Sequence, residues 1–437
     1  MAWLQLHKLK RNRRYNMIYI GIDWADQEHH VFITNDLGAN LGSFAITHSV
    51  EGFAKLEDRV KGLSSDQKEC LFALEIASGL LMGYLLAKGY TVYPINPKAV
   101  DRYRDRYRVS GAKSDPGDAM VLAHILRTDR PRHQPLMPSS ELARELLLLT
   151  RDHQNLVQQR TRLVNQLNAC LKEYYPAALQ FFSSVDQPLA LAFLNHFPTP
   201  GDAQRLSLQE LEAFCFKHHY HNRKDIKRLY NKLQLPMLQA HPFVVRAKSR
   251  YLLSLISQLI PLQQSIKEYE GEIEYLFKQH PDSEIFLSLP GAGKTIAPQM
   301  LAEIGDRREN FPHCEFLQAE AGTAPVTKRS GGRIMVVFRR SCRKRLRNTL
   351  QQFALESLKF CPWAREYYKA QKQRGKSTSQ ALRALANRWL AIIWVMWQRD
   401  LPYDDEYHQA NRDKRRCQVD HDPVLLKCVT PLLDKFA

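Results

Sequence analysis

The sequence lacks a C-x-x-C pair. Its eight cysteines, Cys70, Cys170, Cys215, Cys314, Cys342, Cys361, Cys417 and Cys428, are scattered. That distribution argues against a structural zinc site or a disulfide framework and fits a reducing, cytoplasmic compartment. No apolar run approaches the ~20 residues of a membrane-spanning helix. The nearest, Trp389 to Trp397, is flanked by Arg388 and Arg399, so no membrane partner is expected. Met1 to Asn16 lacks the apolar core of a signal peptide and carries Lys8, Lys10, Arg11, Arg13 and Arg14; it reads as a basic arm, or as sequence ahead of a start at Met17. Leu289 to Thr295 looks like a phosphate-binding loop, preceded by a short strand, Ile285 to Leu287, but the first glycine of that motif is replaced by Ser288. This excludes an ATPase of that kind.

What is present is length and positive charge. At 437 residues the chain has room for two or three domains, and its formal charge of +18 points to a polyanionic partner, nucleic acid before membrane. From Met17 the pattern is strand-rich: Met17 to Asp23, His30 to Thr34 and Ser43 to Thr47 form an expected antiparallel meander. Helices and strands then alternate: a helix over Val50 to Lys61, a strand over Leu71 to Glu75, a helix over Gly79 to Lys88, a strand over Thr91 to Ile95, and helices from Pro97 and from Asp115 to Leu126. That is the element order of an α/β, RNase H-like fold. It brings Asp23, Glu75, Asp115 and Asp118 to one sheet edge. Clustered carboxylates repel one another unless cations neutralise them, so Mg²⁺ is expected there, with Mn²⁺ also suitable. Asp115-Pro116 taken alone reads rather as a helix cap with proline at the first position; Asp23 and Glu75, carboxylates at the ends of apolar strands, favour the metal.

Asp101 to Arg108 alternates Arg102, Arg104, Arg106 and Arg108 with tyrosine and aspartate, and Lys113 follows. This run either pairs phosphates and stacks bases or forms a solvated face with internal Asp-Arg pairs. Beyond Pro131, Pro135 and Pro138 the pattern turns helical. Leu149, Leu156, Leu163 and Cys170 recur at seven, and Leu252 to Leu276 alternates three and four. Both argue a coiled-coil pair, folding back or joining two chains, with Pro261 expected to bend the second helix. The stretch from Phe181 to Pro242 reads as a small helical insert whose Cys215, His218, His219 and His221 match no common zinc spacing. The turn at Pro290 to Gly293 suits a helix-hairpin-helix, with Lys294 beside its phosphate-facing amides. No acid occurs from Ala321 to Leu355, which contains Lys328, Arg329, Arg333, Arg339, Arg340, Arg343, Lys344, Arg345 and Arg347. This is the densest nucleic-acid footprint in the chain. Ser330, followed by two glycines in a loop among these cations, is a candidate nucleophile, although Ser-Gly-Gly by itself is a turn.

Asp23, Glu75 and Asp115-x-x-Asp118, followed in order by Leu289-Pro-Gly-x-Gly, Leu301 to Asp306, Ala321-Gly-x-Ala-Pro325 and Ser330-Gly331, resemble the DEDD-type insertion-sequence transposases of the "one-ten" family. The resemblance spans about Met17 to Trp397. It implies a RuvC-like domain at 17–135, a coiled coil with a helical insert at 139–282 and a mainly helical C-terminal serine transposase domain at 283–400, between a basic arm at 1–16 and a tail at 401–437. It further implies a DNA recombinase acting on donor and target DNA, with Ser330 forming a phosphoserine link and Asp23, Glu75, Asp115 and Asp118 binding Mg²⁺. A structured noncoding bridge RNA would guide it, and homodimers would pair as a tetramer with composite active sites. Thr323, where the commoner pattern has leucine, and Arg343 to Arg345, in place of a Gly-Asn, depart from that pattern without touching these residues. A metal-dependent structure-specific nuclease and a nucleic-acid-binding scaffold are the competing readings.

Overall fold

The computed structural model describes residues 17–75, 79–104, 115–331 and 333–411. Arg106, Arg108, Lys113, the basic arm and most of the tail lie outside the described residues. The chain forms two compact units that divide after Pro138.

In the first unit, β1 (Ile18–Asp23), β2 (Glu28–Asn35) and β3 (Asn40–Thr47) form the expected meander, and β4 (Cys70–Leu74) and β5 (Thr91–Pro94) extend it in parallel. The order β3-β2-β1-β4-β5 puts β1 at the centre. A central strand covered on both faces must be apolar throughout, and β1 is: Ile18, Ile20 and Ile22 face a core with Phe53, Leu56 and Phe72, while Tyr19 packs with Val121, Leu122 and Ile125. Around the sheet lie α1 (Val50–Lys61), α2 (Leu80–Ala87), α3 (Pro97–Arg104) and α4 (Asp115–Asp129). Ser49 caps α1 by accepting from the Gly52 amide.

Gly21 sets the approach of α4 to β1. A β-carbon there would lie 2.0 Å from the Ala119 carbonyl oxygen and 2.5 Å from the Ala123 nitrogen, so only glycine admits the helix backbone at this depth. The helix runs opposite to the strand. Near its C-terminal end Arg127 donates to the Asp36 carbonyl at 3.3 Å, and the Asp36 side chain accepts from the Met17 amide at the start of β1. The N-terminal turn of α4 therefore lies at the end of the sheet where β1 finishes.

The second unit is built on two long antiparallel helices, α5 (Glu141–Tyr174) and α10 (Pro242–Gln279). Cys170 lies against the Lys248 carbonyl, and His153 pairs with Glu270 at 3.4 Å. The helix pair folds back within the chain. On α5 the buried positions are Ala143, Leu146, Thr150, His153, Leu167, Cys170, Leu171 and Tyr174, while Leu149, Leu156 and Leu163 are half-buried. The heptad thus runs along the edge of the seam, because each end of the helix turns a broader face to its own core. Helix α10 continues through Pro261, which is exposed.

At one end of the pair, α6 (Pro188–His196), α7 (Pro200–Gln204), α8 (Leu208–Lys217) and α9 (Arg223–Leu233) close a core with Tyr174, Phe193 and Leu255. Ser207 and Glu210 form the capping box of α8. At the other end, α11 (Ser283–Leu287), α12 (Gly293–Ile304), α13 (Cys314–Glu320), α14 (Lys344–Phe360), α15 (Pro362–Gln373) and α16 (Thr378–Arg399) surround Phe286, Phe353, Trp389 and Trp397.

Two expectations are corrected here. Ile285 to Leu287 is helical, not a strand: the Phe286 amide donates to Asp282 and the Ser288 amide to Glu284, at helical spacing. Ser330 is not in a free loop. It ends β6 (Val326–Ser330), which pairs antiparallel with β7 (Arg333–Val337). No described helix is long and apolar enough to cross a membrane.

Candidate active site: an acidic sheet end and a serine hairpin

In the first unit Ile22 of β1 pairs in parallel with Leu74 of β4. Asp23 and Glu75, the next residue of each chain segment, therefore leave the sheet side by side, both half-buried. Helix α4 carries Asp115 and Asp118 in its first turn, which lies at this same end. All four sequence-predicted acids thus belong to one end of the sheet. Asp118 is 2 % exposed and needs a positive partner at that depth. Arg104 supplies one: its Nε and Nη2 donate to Asp118 Oδ1 at 2.9 and 2.7 Å, and its Nη1 lies 3.1 Å from Asp101. Of the two readings of this run, phosphate pairing or a face with internal Asp-Arg pairs, Arg104 follows the second at Asp101 and departs from both at Asp118: it turns inward, drawn by Asp101 one turn earlier and by the buried carboxylate. Arg102 is exposed.

The donor set is all oxygen and negative, which suits a hard divalent cation, and the buried carboxylate already recruits a cation from the protein. The residues fit such an ion chemically. As they stand, no three acidic, histidine or cysteine side chains among the described residues converge closely enough to hold one.

In the second unit β6 and β7 form an exposed two-stranded ribbon. Ser330 pairs with Arg333, and Lys328 with Met335. Alternation places Lys328, Ser330 and Arg333 on one face. Gly331, at φ +58°, begins the turn in a conformation that favours glycine. Among the described residues no side chain hydrogen-bonds the Ser330 hydroxyl.

The basic run divides into two groups. Some cations are committed: Arg339 to the Ala324 carbonyl, Arg343 to Glu320 and the Glu303 carbonyl, Arg345 to Gln154, Asn155 and the Arg151 carbonyl, and Lys294 to Glu274. Lys328, Arg329, Arg333, Arg340 and Lys344 are exposed, without an ion-pair partner among the described residues. The Thr323 hydroxyl lies 2.8 Å from the Asn387 side-chain amide and 3.2 Å from the Gln318 carbonyl, which satisfies it where an apolar residue was the commoner expectation.

Sequence reasoning missed the β6-β7 ribbon, although Val326 to Val337 carries the signal for it: β-branched residues flanking Gly331-Gly332. It also missed Phe338 and Arg383, which meet only through tertiary packing.

The stretches of chain that carry these residues match models of related transposases. Residues 20–176 match the DEDD transposase model of the IS110 group, described as "Transposase", and residues 283–369 match "Transposase IS116/IS110/IS902 family". The chain is 37% identical over 397 residues to the mini-circle putative transposase for IS117 of Streptomyces coelicolor, covering 89% of this chain and 96% of that protein. It is 29% identical over 388 residues, 87% of this chain and 95% of the relative, to the 42 kDa protein of insertion element IS900 of Mycobacterium paratuberculosis. A pilin gene-inverting protein of Moraxella bovis is 28% identical over 154 residues, 33% of this chain and 47% of its own length. A DEDD domain is RNase H-like and implies a divalent metal ion, in keeping with the sheet and the acids at its end. The chain belongs to the IS110/IS116 family of transposases, whose function is DNA recombination.

Proposed function

We propose that this transposase is a site-specific recombinase that cuts and rejoins DNA through a phosphoserine at Ser330. The observation that carries the reading is the placement of Ser330 at the tip of an exposed ribbon, on one face with Lys328 and Arg333. Cations on that face would stabilise the charge that develops on a phosphoryl group. The Ser330 oxygen attacks phosphorus, an Oγ–P bond forms, and the bond to one deoxyribose oxygen breaks; that oxygen leaves as a hydroxyl and takes up a proton. In the reverse step the hydroxyl of a new strand attacks the same phosphorus and expels Ser330, which regains its proton. Phosphodiester bonds are conserved, so no nucleotide triphosphate is consumed. The pilin gene-inverting relative supports site-specific exchange.

Asp23, Glu75, Asp115 and Asp118 of the RuvC-like sheet would hold Mg²⁺, or Mn²⁺. Such an ion supplies Lewis-acid stabilisation of phosphoryl oxygens. The helix-hairpin-helix-like turn between α11 and α12 offers backbone amides to a strand. The family resemblance adds a noncoding bridge RNA as guide and a homodimer assembling to a tetramer on nucleic acid; the net charge of +18 is consistent with two nucleic-acid partners.

Incubation with element-end DNA followed by denaturing electrophoresis tests the serine. A covalent protein-DNA adduct is expected from the wild type and none from Ser330→Ala; an undiminished adduct would refute the assignment. Mg²⁺-dependent cleavage that survives Ser330→Ala but disappears in Asp23→Ala would favour a nuclease.

A further inference from the structure

Two guanidinium groups share one aromatic ring at the root of the ribbon. Phe338 follows β7 directly. The Cζ of Arg383, on α16, lies 4.3 Å from its ring centroid, and that of Arg347, in the first turns of α14, lies 5.1 Å away. Like charges repel, so two arginines on one ring need a reason to stay there, and neither has a carboxylate partner among the described residues. Arg347 gives one donor to Cys342 Sγ at 3.5 Å; Arg383 makes no hydrogen bond among the described residues. Both side chains are half-buried. Burial, and then the charge of Arg347, push the Arg383 guanidinium below its usual value. Contact with a ring consumes none of a guanidinium's N–H donors, and these remain in the fork that matches phosphate oxygens.

We propose that Arg347 and Arg383, gathered at the Phe338 ring, form a clamp for one backbone phosphate of nucleic acid at the base of the Ser330 ribbon. An anion that accepts from both guanidiniums would relieve their repulsion and use the donors left over. The surroundings agree: Phe338 stands at the end of an exposed strand carrying Ile334, Met335 and Val336, and a lone two-stranded ribbon of this kind is marginal in water without further support. Its position predicts where the phosphate lies, and this part rests on the serine reading above. Ser330 pairs with Arg333, and Phe338 is five residues further on, roughly 17 Å along an antiparallel strand. At about 3.4 Å of duplex axis per nucleotide, the clamped phosphate falls within about five nucleotides of the one that Ser330 attacks.

The test is equilibrium titration of duplex DNA and, separately, of a folded RNA across a salt series. Relative to wild type, R347Q/R383Q should bind one of these nucleic acids roughly tenfold or more weakly, with a salt slope smaller by about one. R383K, which keeps the charge, should recover part of the affinity. Wild-type affinity and slope for both nucleic acids in the double variant would overturn the clamp. On the unaltered protein, single neutral methylphosphonates placed along whichever nucleic acid the double variant loses give a reading free of folding effects. At least one position should weaken wild-type binding while leaving that of R347Q/R383Q unchanged, and the absence of any such position would also overturn the clamp. Ser330→Ala separates the two readings: it should bind as wild type does while forming no adduct. If it still forms the adduct while the double variant loses affinity, the serine assignment falls and the clamp stands.

Discussion

Removing Arg104 probes the acidic sheet end directly. In Arg104→Gln, Asp118, whose side chain is 3% exposed in the native protein, loses both charged donors. Breaking a buried ion pair from one side costs roughly 3–5 kcal/mol, because the remaining charge is left unpaired. Arg104 is itself 15% exposed, and water reaching the vacated space places the expected cost near the lower bound, about 3 kcal/mol. If the four acids hold a divalent ion, that ion replaces the lost guanidinium. At a concentration about 100 times its dissociation constant it restores ~2.7 kcal/mol, nearly the whole penalty. Amide hydrogen exchange in β1, β4 and α4 reads the opening free energy of this unit separately from the other. The variant should exchange about a hundredfold faster than wild type in a chelator, and millimolar Mg²⁺ should slow it close to the rate of wild type in chelator. Equal protection of the two proteins in chelator would refute the pairing argument. Faster exchange that Mg²⁺ and Mn²⁺ both fail to slow would refute the metal assignment.

Other expectations follow from the same unit. Gly21→Ala places a methyl group 2.0 Å from the Ala119 carbonyl, and because backbone on both sides must yield, the unit should lose about 3 kcal/mol. Chemical denaturation checks this, and recombination should fall although no acid is altered. His29 is fully buried, accepts from the Ala25 amide at Nδ1, and lies 2.8 Å from His48 Nδ1 through its Nε2. Burial first, and His48 second, lower its pKa. The unfolded chain therefore takes up the proton more readily, so stability is full above the ordinary histidine range and falls as pH drops below about 6.5. Thermal melts at pH 7.5 and 5.5 should show this loss in wild type and a smaller one in His29→Asn.

Much of the first unit was legible in the sequence because its signals are local. The apolar run from Ile18 to Ile22 announces a strand covered on both faces, and Asp36-Leu37-Gly38 marks the turn between β2 and β3. Helix α1 begins and ends where its pattern does, at Val50 and Lys61. The parallel register of β1 and β4 then carries Asp23 and Glu75 to one end without further information. Ile285 to Leu287 was misread because three apolar residues fit a strand or a buried helix equally well; packing within the Phe286 core decides between them. The seam of α5 was displaced for a related reason, since a heptad shows that a helix has an apolar stripe but not how wide a face its neighbours cover.

The sequence by itself determined the order of elements in the first unit, the four acids and the serine with their spacing, and the charge that calls for nucleic acid. These depend on backbone periodicity, turn chemistry and composition, all expressed within a few residues. Tertiary structure alone decided which cations are committed and which are free: Arg104 to Asp118, Arg345 to Gln154 and Asn155 on α5, Arg347 and Arg383 to Phe338. A guanidinium chooses its partner by distance and burial, and those partners come from elements brought together only when the helices pack.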